Sequence, residues 1–152
     1  MSDNLRGLVG LVGLLLVIGG VLVFVLWRKH KNLPKSWVHQ GVTPPLGVET
    51  ALRVISRFTP GLPQAGYIEW VYGPFMVGGY PPIKAAGAML GLEPTRIMLT
   101  YFDKVEQSAL AHEVGHAWNE VTKQGFGESP ADARFVAWIN TVNTAIAKEL
   151  GR

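Results

Sequence analysis

Apolar positions fall into three patterns along the chain, and the first is unbroken. From Leu8 to Trp27, "LVGLVGLLLVIGGVLVFVLW" runs for twenty residues without a charge. At about 1.5 Å per residue, a helix of that length covers roughly the 30 Å hydrocarbon core of a bilayer. The pattern predicts one transmembrane helix. A cleaved secretory signal would have a basic start, a shorter apolar stretch and a small-residue exit. Here the start, "MSDNLR", is barely basic, and Arg28, Lys29, Lys31 and Lys35 follow the span instead. The expectation is an uncleaved single-pass anchor whose basic flank faces the cytoplasm by the positive-inside tendency.

Helical spacing is the second pattern. Val48, Leu52, Ile55 and Phe58 recur at that spacing, which predicts a short helix over 47–57 between the Pro/Gly breaks "VTPPLG" and "TPGLPQAG". Pro82 to Leu90 reads as a second short helix closed by Gly91. In "DKVEQSALAHEVGHAWNEVTKQG", Asp103 and Glu106 form an acidic version of the capping box and Gly125 follows the last turn, predicting a helix over 104–123. A final helix, about 130–150, carries Phe135, Ile139, Val142 and Ile146 on one face.

Runs of branched and aromatic residues make the third pattern. They predict strands at "YIEWVY", residues 67–72, and "RIMLTY", residues 96–101, while "PFMVGGY" continues or pairs with the first. Strands followed by helices, with too few strands for a sandwich, give an α+β fold. The predicted organisation is a membrane anchor with its basic juxtamembrane segment over 1–35, then one small domain over 36–152 comprising a short sheet, a motif helix and a C-terminal helix.

Composition narrows the partners. The formal charge of +3 is concentrated after the apolar run, so the expected contact is membrane lipid through residues 8–27 and the basic 28–35 patch. No aromatic-interleaved basic stripe points to nucleic acid. With no cysteine, disulfides, thiolate zinc sites and a cysteine nucleophile are excluded.

"HEVGH", residues 112–116, holds two of the four histidines. At about 100° per residue, His112 and His116 lie about 40° apart on one side of a helix, with Glu113 a further 60° round. Leu110, Val114, Ala117, Trp118 and Val121 take the other side. Core histidines would point with that apolar stripe, whereas these point away from it beside the small Ala109. Two histidines one turn apart can each bring a ring nitrogen to Zn2+ at about 2.0–2.1 Å, while the glutamate between them reaches the water in the fourth position. In that arrangement Glu113 is the general base and not a ligand.

A catalytic zinc takes three protein ligands. Glu120 is on the correct face, but two turns from His112 it sits about 12 Å along the axis. The remaining donors are His39 and two downstream carboxylates in "GFGESPADARFVAWIN", Glu128 and Asp132. With Glu128 at zero on a helical wheel, Asp132 falls at about 40° and heads the inward-facing stripe. A structural role also fits: Ser129 as cap, Pro130 in the first position, and Asp132 completing the cap.

"HEVGH" followed by "ESPAD" resembles the HExxH plus ExxAD pattern of gluzincin metallopeptidases. The match covers about residues 96–140. It implies a zincin-like domain that hydrolyses peptide bonds, with His112, His116 and Glu128 as zinc ligands and Glu113 as general base. Asp132 would then orient a ligand imidazole through the ring's other nitrogen. The chain is similar, more loosely, to small single-domain zincins in which the strand before the motif helix binds substrate backbone, which would give "RIMLTY" or "YIEWVY" an extended peptide as an added strand. Tyr101, Tyr80, His39 and Arg134 are candidates for stabilising an oxyanion.

The resulting expectation is a membrane-anchored zinc metallopeptidase acting on a peptide or protein substrate. Two alternatives stand beside it: a non-catalytic membrane scaffold or virion component retaining a zincin fold, and a metal-dependent hydrolase of other amides.

Overall fold

The structure, a computed structural model, describes residues 12, 14–25, 33–78, 82–127 and 131–152. The chain divides into two compact units, Met1–Leu33 and Pro34–Arg152.

In the first unit, residues 14–25 are helical and their apolar side chains are exposed. The described helical residues 14–25 rise about 18 Å, short of the roughly 30 Å a span requires. Among the described residues, no helix is long and apolar enough to cross a membrane. The predicted transmembrane helix is corrected accordingly, and with it the single-pass membrane localisation and the orientation read from the basic flank. Residues 8–11, 13, 26 and 27 of the apolar run, and 28–32 of the basic patch, lie outside the described residues.

The second unit is α+β. Its elements are β1 (Trp37–Gly41), α1 (Val48–Phe58), β2 (Gly66–Val71), β3 (Phe75–Val77), β4 (Ile83–Ala85), β5 (Gly87–Leu92), β6 (Thr95–Thr100), a short 3-10 turn (Val105–Gln107), α2 (Leu110–Thr122) and α3 (Ala133–Glu149). The main sheet has the order β1-β2-β6-β5. β1, β2 and β6 are parallel, and β5 runs antiparallel to β6 at one edge. A separate two-stranded sheet pairs β3 with β4.

Alternation along the central strands fixes the inner face. Ile68 and Trp70 of β2 and Ile97 and Leu99 of β6 are buried, and they share one core with Ala51, Leu52, Val54 and Ile55 of α1, Leu110, Val114 and Ala117 of α2, and Val142 and Ile146 of α3. Period-2 burial in the strands and period-3.6 burial in the helices thus meet in one contiguous core.

Three sequence expectations are revised. The segment 82–90 holds β4 and the first part of β5, not a helix. Its Ala/Gly-rich stretch has weak local preference, and pairing of β5 with β6 decides it. The motif helix begins at Leu110, not Lys104. Ser108 Oγ donates to Val105 O at 2.6 Å and accepts from Leu110 N at 3.3 Å, a local turn that competes with helix. Glu106 binds Arg152 at 3.0 and 3.1 Å instead of closing a capping box. The last helix begins at Ala133, with Asp132 as its N-cap; Ser129 and Pro130 lie outside the described residues.

Candidate active site

β6 delivers the chain through the 3-10 turn into α2, placing the HEVGH residues in the first turns of that helix. His112 Nε2 and His116 Nε2 stand 2.9 Å apart, with ring centroids at 4.6 Å. Two nitrogens on one tetrahedral zinc at 2.0–2.1 Å would be separated by about 3.3 Å. The two rings therefore meet Nε2 to Nε2 at hydrogen-bonding distance, somewhat closer than the spacing one ion would impose.

Phe135 of α3 forms the wall behind them. It is fully buried, its ring lies 5.4 Å from that of His112 and 4.8 Å from that of His116, and it stacks between Phe126 and Trp138. Gly115 makes this approach possible. A Cβ there would meet Trp138 at 2.5 Å and Phe135 at 2.8 Å. A mid-helix glycine costs about 1 kcal/mol relative to alanine, and here it is tied to close helix packing.

The predicted division of the helix holds for Leu110, Val114, Ala117 and Trp118, all buried, but Val121 is exposed. Glu113 is buried at 6 % exposure. It packs beneath β5: a Cβ on Gly87 would fall 2.6 Å from Glu113 Oε1 and 2.7 Å from its Cγ. The carboxylate of the HExxH motif thus sits between the motif helix and the outer strand of the sheet.

Among the described residues, no group of three or more His, Cys, Asp or Glu side chains could hold a metal ion. That corrects the expectation of a complete metal-binding set within them: they supply His112 and His116 as convergent donors and no third. Glu128, the residue the resemblance implies as third ligand, lies outside the described residues with 129 and 130. The chain on either side is tied to Asn119 of α2 and to Asp132 at the start of α3. Asn119 of α2 exchanges two hydrogen bonds with the Phe126 backbone, at 2.9 and 3.1 Å. Gly127 N donates to Asp132 Oδ2 at 2.7 Å, and Phe135 follows Asp132 by one turn.

Asp132 is occupied as a cap. Its Oδ1 accepts from Arg134 N at 2.8 Å, and the Arg134 guanidinium reaches Oδ2 at 2.9 Å. The side-chain hydrogen bond from Arg134, followed by that from Gly127 N, holds the Asp132 carboxyl well below the usual carboxylate range.

The other donors considered from sequence are engaged elsewhere. His39 Nδ1 accepts from Trp70 Nε1 at 3.1 Å, so its Nε2 carries the proton and donates to Glu49 Oε1 at 3.0 Å. Glu120 pairs with Lys123 at 3.4 Å. Arg134 also donates to Gly125 O at 2.7 Å, and Tyr101 packs edge-on against Tyr72. Tyr80 lies outside the described residues.

The strands expected to hold a peptide are not open. β2 is paired on both sides by β1 and β6, and β6 by β2 and β5. β5 is the edge strand nearest the site. Thr100 N donates to Ala86 O at 2.8 Å, so by antiparallel alternation Ala86 and Ala88 face β6, while the backbone groups of Gly87 and Met89 point to the outer edge. Sequence reading missed Gly87, because its significance arises only when β5 folds onto Glu113.

No family model, curated protein or solved structure matches the chain.

Proposed function

We propose that the chain is a zinc-dependent peptide hydrolase of gluzincin type, with His112 and His116 as two zinc ligands, Glu128 as the third and Glu113 as general base. The observation that carries this reading is the convergence of the two Nε2 atoms at 2.9 Å next to a buried carboxylate that borders an open strand edge. Zinc held there would acidify a water to a pKa near 7 and polarise a carbonyl.

The chain's own residues do the rest. The outward N–H and C=O groups of Gly87 and Met89 take an extended peptide as an added strand along β5. Glu113 accepts the proton of the attacking water as its oxygen bonds to the carbonyl carbon, and returns that proton to the leaving nitrogen as the C–N bond breaks. The Phe135 wall and the buried setting of Glu113 limit bulk water on that side.

The test is direct hydrolysis. The full chain, supplied with zinc, is incubated with a pool of unstructured peptides, and new termini are read by mass spectrometry. Cleavage that disappears in Glu113→Gln supports the reading. Intact peptides, or equal cleavage by Glu113→Gln, overturn it.

A further inference from the structure

We infer that Gly87 is a positioning residue: its lack of a side chain lets the outer strand rest directly on the Glu113 carboxylate, so that strand and base are held at one fixed separation. The inference rests on the peptide-hydrolase reading for its kinetic consequence but not for its geometry.

The contact is specific. A Cβ at Gly87 would lie 2.6 Å from Glu113 Oε1, 2.7 Å from Glu113 Cγ and 2.7 Å from Ala109 Cβ. The carboxylate oxygen could swing away and Cγ could shift only by a change of χ1 rotamer, whereas the Ala109 methyl is fixed to the backbone at the start of α2. Glu113 is buried, so a displaced carboxylate has little free space to enter. Gly87 also turns its backbone groups to the outer edge of β5, where a substrate strand would pair. One residue therefore leaves no room for a side chain above the base and turns its N–H and C=O to the outer edge. A methyl group there widens the gap between the two, and a misplacement on the 1 Å scale can cost about 100-fold in rate.

Other glycines provide the contrast. Gly78 has nothing within 4 Å of a built Cβ, and no backbone conformation there disfavours alanine. Gly78→Ala adds the same methyl just beyond the end of β3, in open space.

The experiment compares Gly87→Ala, Gly87→Ala/Ala109→Gly and Gly78→Ala in the full chain. Three quantities are read: zinc content, the separate kcat and KM values for a cleaved peptide, and the 13Cδ chemical shift of Glu113 at fixed pH. Gly87→Ala is expected to keep its zinc and a KM within about threefold while kcat falls about 10- to 100-fold, with the Glu113 13Cδ resonance displaced. Gly78→Ala should match the parent. Removing the Ala109 methyl gives the strand room to settle, so the double variant should recover part of the kcat and of the shift. A folded Gly87→Ala with unchanged kcat and an unmoved Glu113 resonance overturns the inference, and so does a loss confined to KM. Should Gly87→Ala fail to fold, the double variant decides by the same readings. If the parent chain cleaves no peptide, the hydrolase reading fails by itself, and the Glu113 resonance alone supports or overturns the positioning role.

Discussion

Phe135 lies against both histidines of the HEVGH motif at once, 5.4 Å from the His112 ring and 4.8 Å from the His116 ring. Because Phe135 belongs to α3 and the histidines to α2, the orientation of the imidazoles depends on the packing of two helices that Gly115 allows to approach closely.

Truncating that wall should loosen the site and the fold together. Phe135→Ala removes a fully buried ring and is expected to lower unfolding free energy by about 3–5 kcal/mol. Zinc affinity should fall about 10- to 100-fold, as it does when the groups orienting metal-bound imidazoles are lost. Phe135→Leu, which keeps more of the volume, should recover most of the stability. Urea denaturation and a competitive zinc titration measure the two effects.

In the proposed hydrolase, Glu113 would transfer a proton and not bind the metal. Glu113→Gln keeps the shape but removes the base, so zinc content should match the parent while kcat drops about 100- to 10,000-fold. Loss of zinc in this variant would mean that the carboxylate is a ligand.

The outer edge of β5 offers a more selective test. Met89→Pro removes one outward-facing N–H, a substitution tolerated at the free side of an edge strand. With one hydrogen bond worth about 0.5–1.5 kcal/mol, KM for a peptide should rise about 2- to 12-fold with zinc content unchanged. An unaltered KM would place the substrate elsewhere.

Asp132 makes stability depend on pH. Hydrogen bonds from Arg134 and Gly127 hold its folded pKa well below the ordinary value, which is about 3.9 in an unfolded chain. The carboxylate's stabilising contribution is therefore fully present above that value and is lost as pH falls from there toward the folded pKa. Asp132→Asn should be less stable than the parent at pH 7, and the gap should narrow as pH drops below about 4. Urea midpoints at a series of pH values check the sign; a gap that widens on acidification would contradict it.

The sequence made some of this visible and left other parts hidden, for physical reasons. β2, β6 and α1 were legible because branched, aromatic and periodically apolar residues report their own burial. The histidine pair was legible because its spacing equals one helical turn. "IKAAGAMLGL", by contrast, has no strong period, and its strands exist through pairing with partners distant in sequence. The apolar run near the N-terminus was expected to be helical over all of 8–27, whereas among the described residues the continuous helical stretch is 14–25 and no helix is long and apolar enough to cross a membrane. β1 went unnoticed because "WVHQG" lacks clean alternation, and Gly87 because its role depends on Glu113, which local sequence cannot bring to it. The cap was expected at Ser129 with Asp132 completing it one turn on, whereas Asp132 is itself the N-cap, bonded to Arg134 N and Gly127 N.

The most direct measurement is zinc content of the purified full chain, alongside His116→Ala with its secondary structure verified by circular dichroism. Convergent His112 and His116 predict stoichiometric zinc in the parent and its loss in the variant, with helix content preserved. A parent chain that binds no zinc, or a His116→Ala variant that binds it equally well, would contradict a metal site on α2.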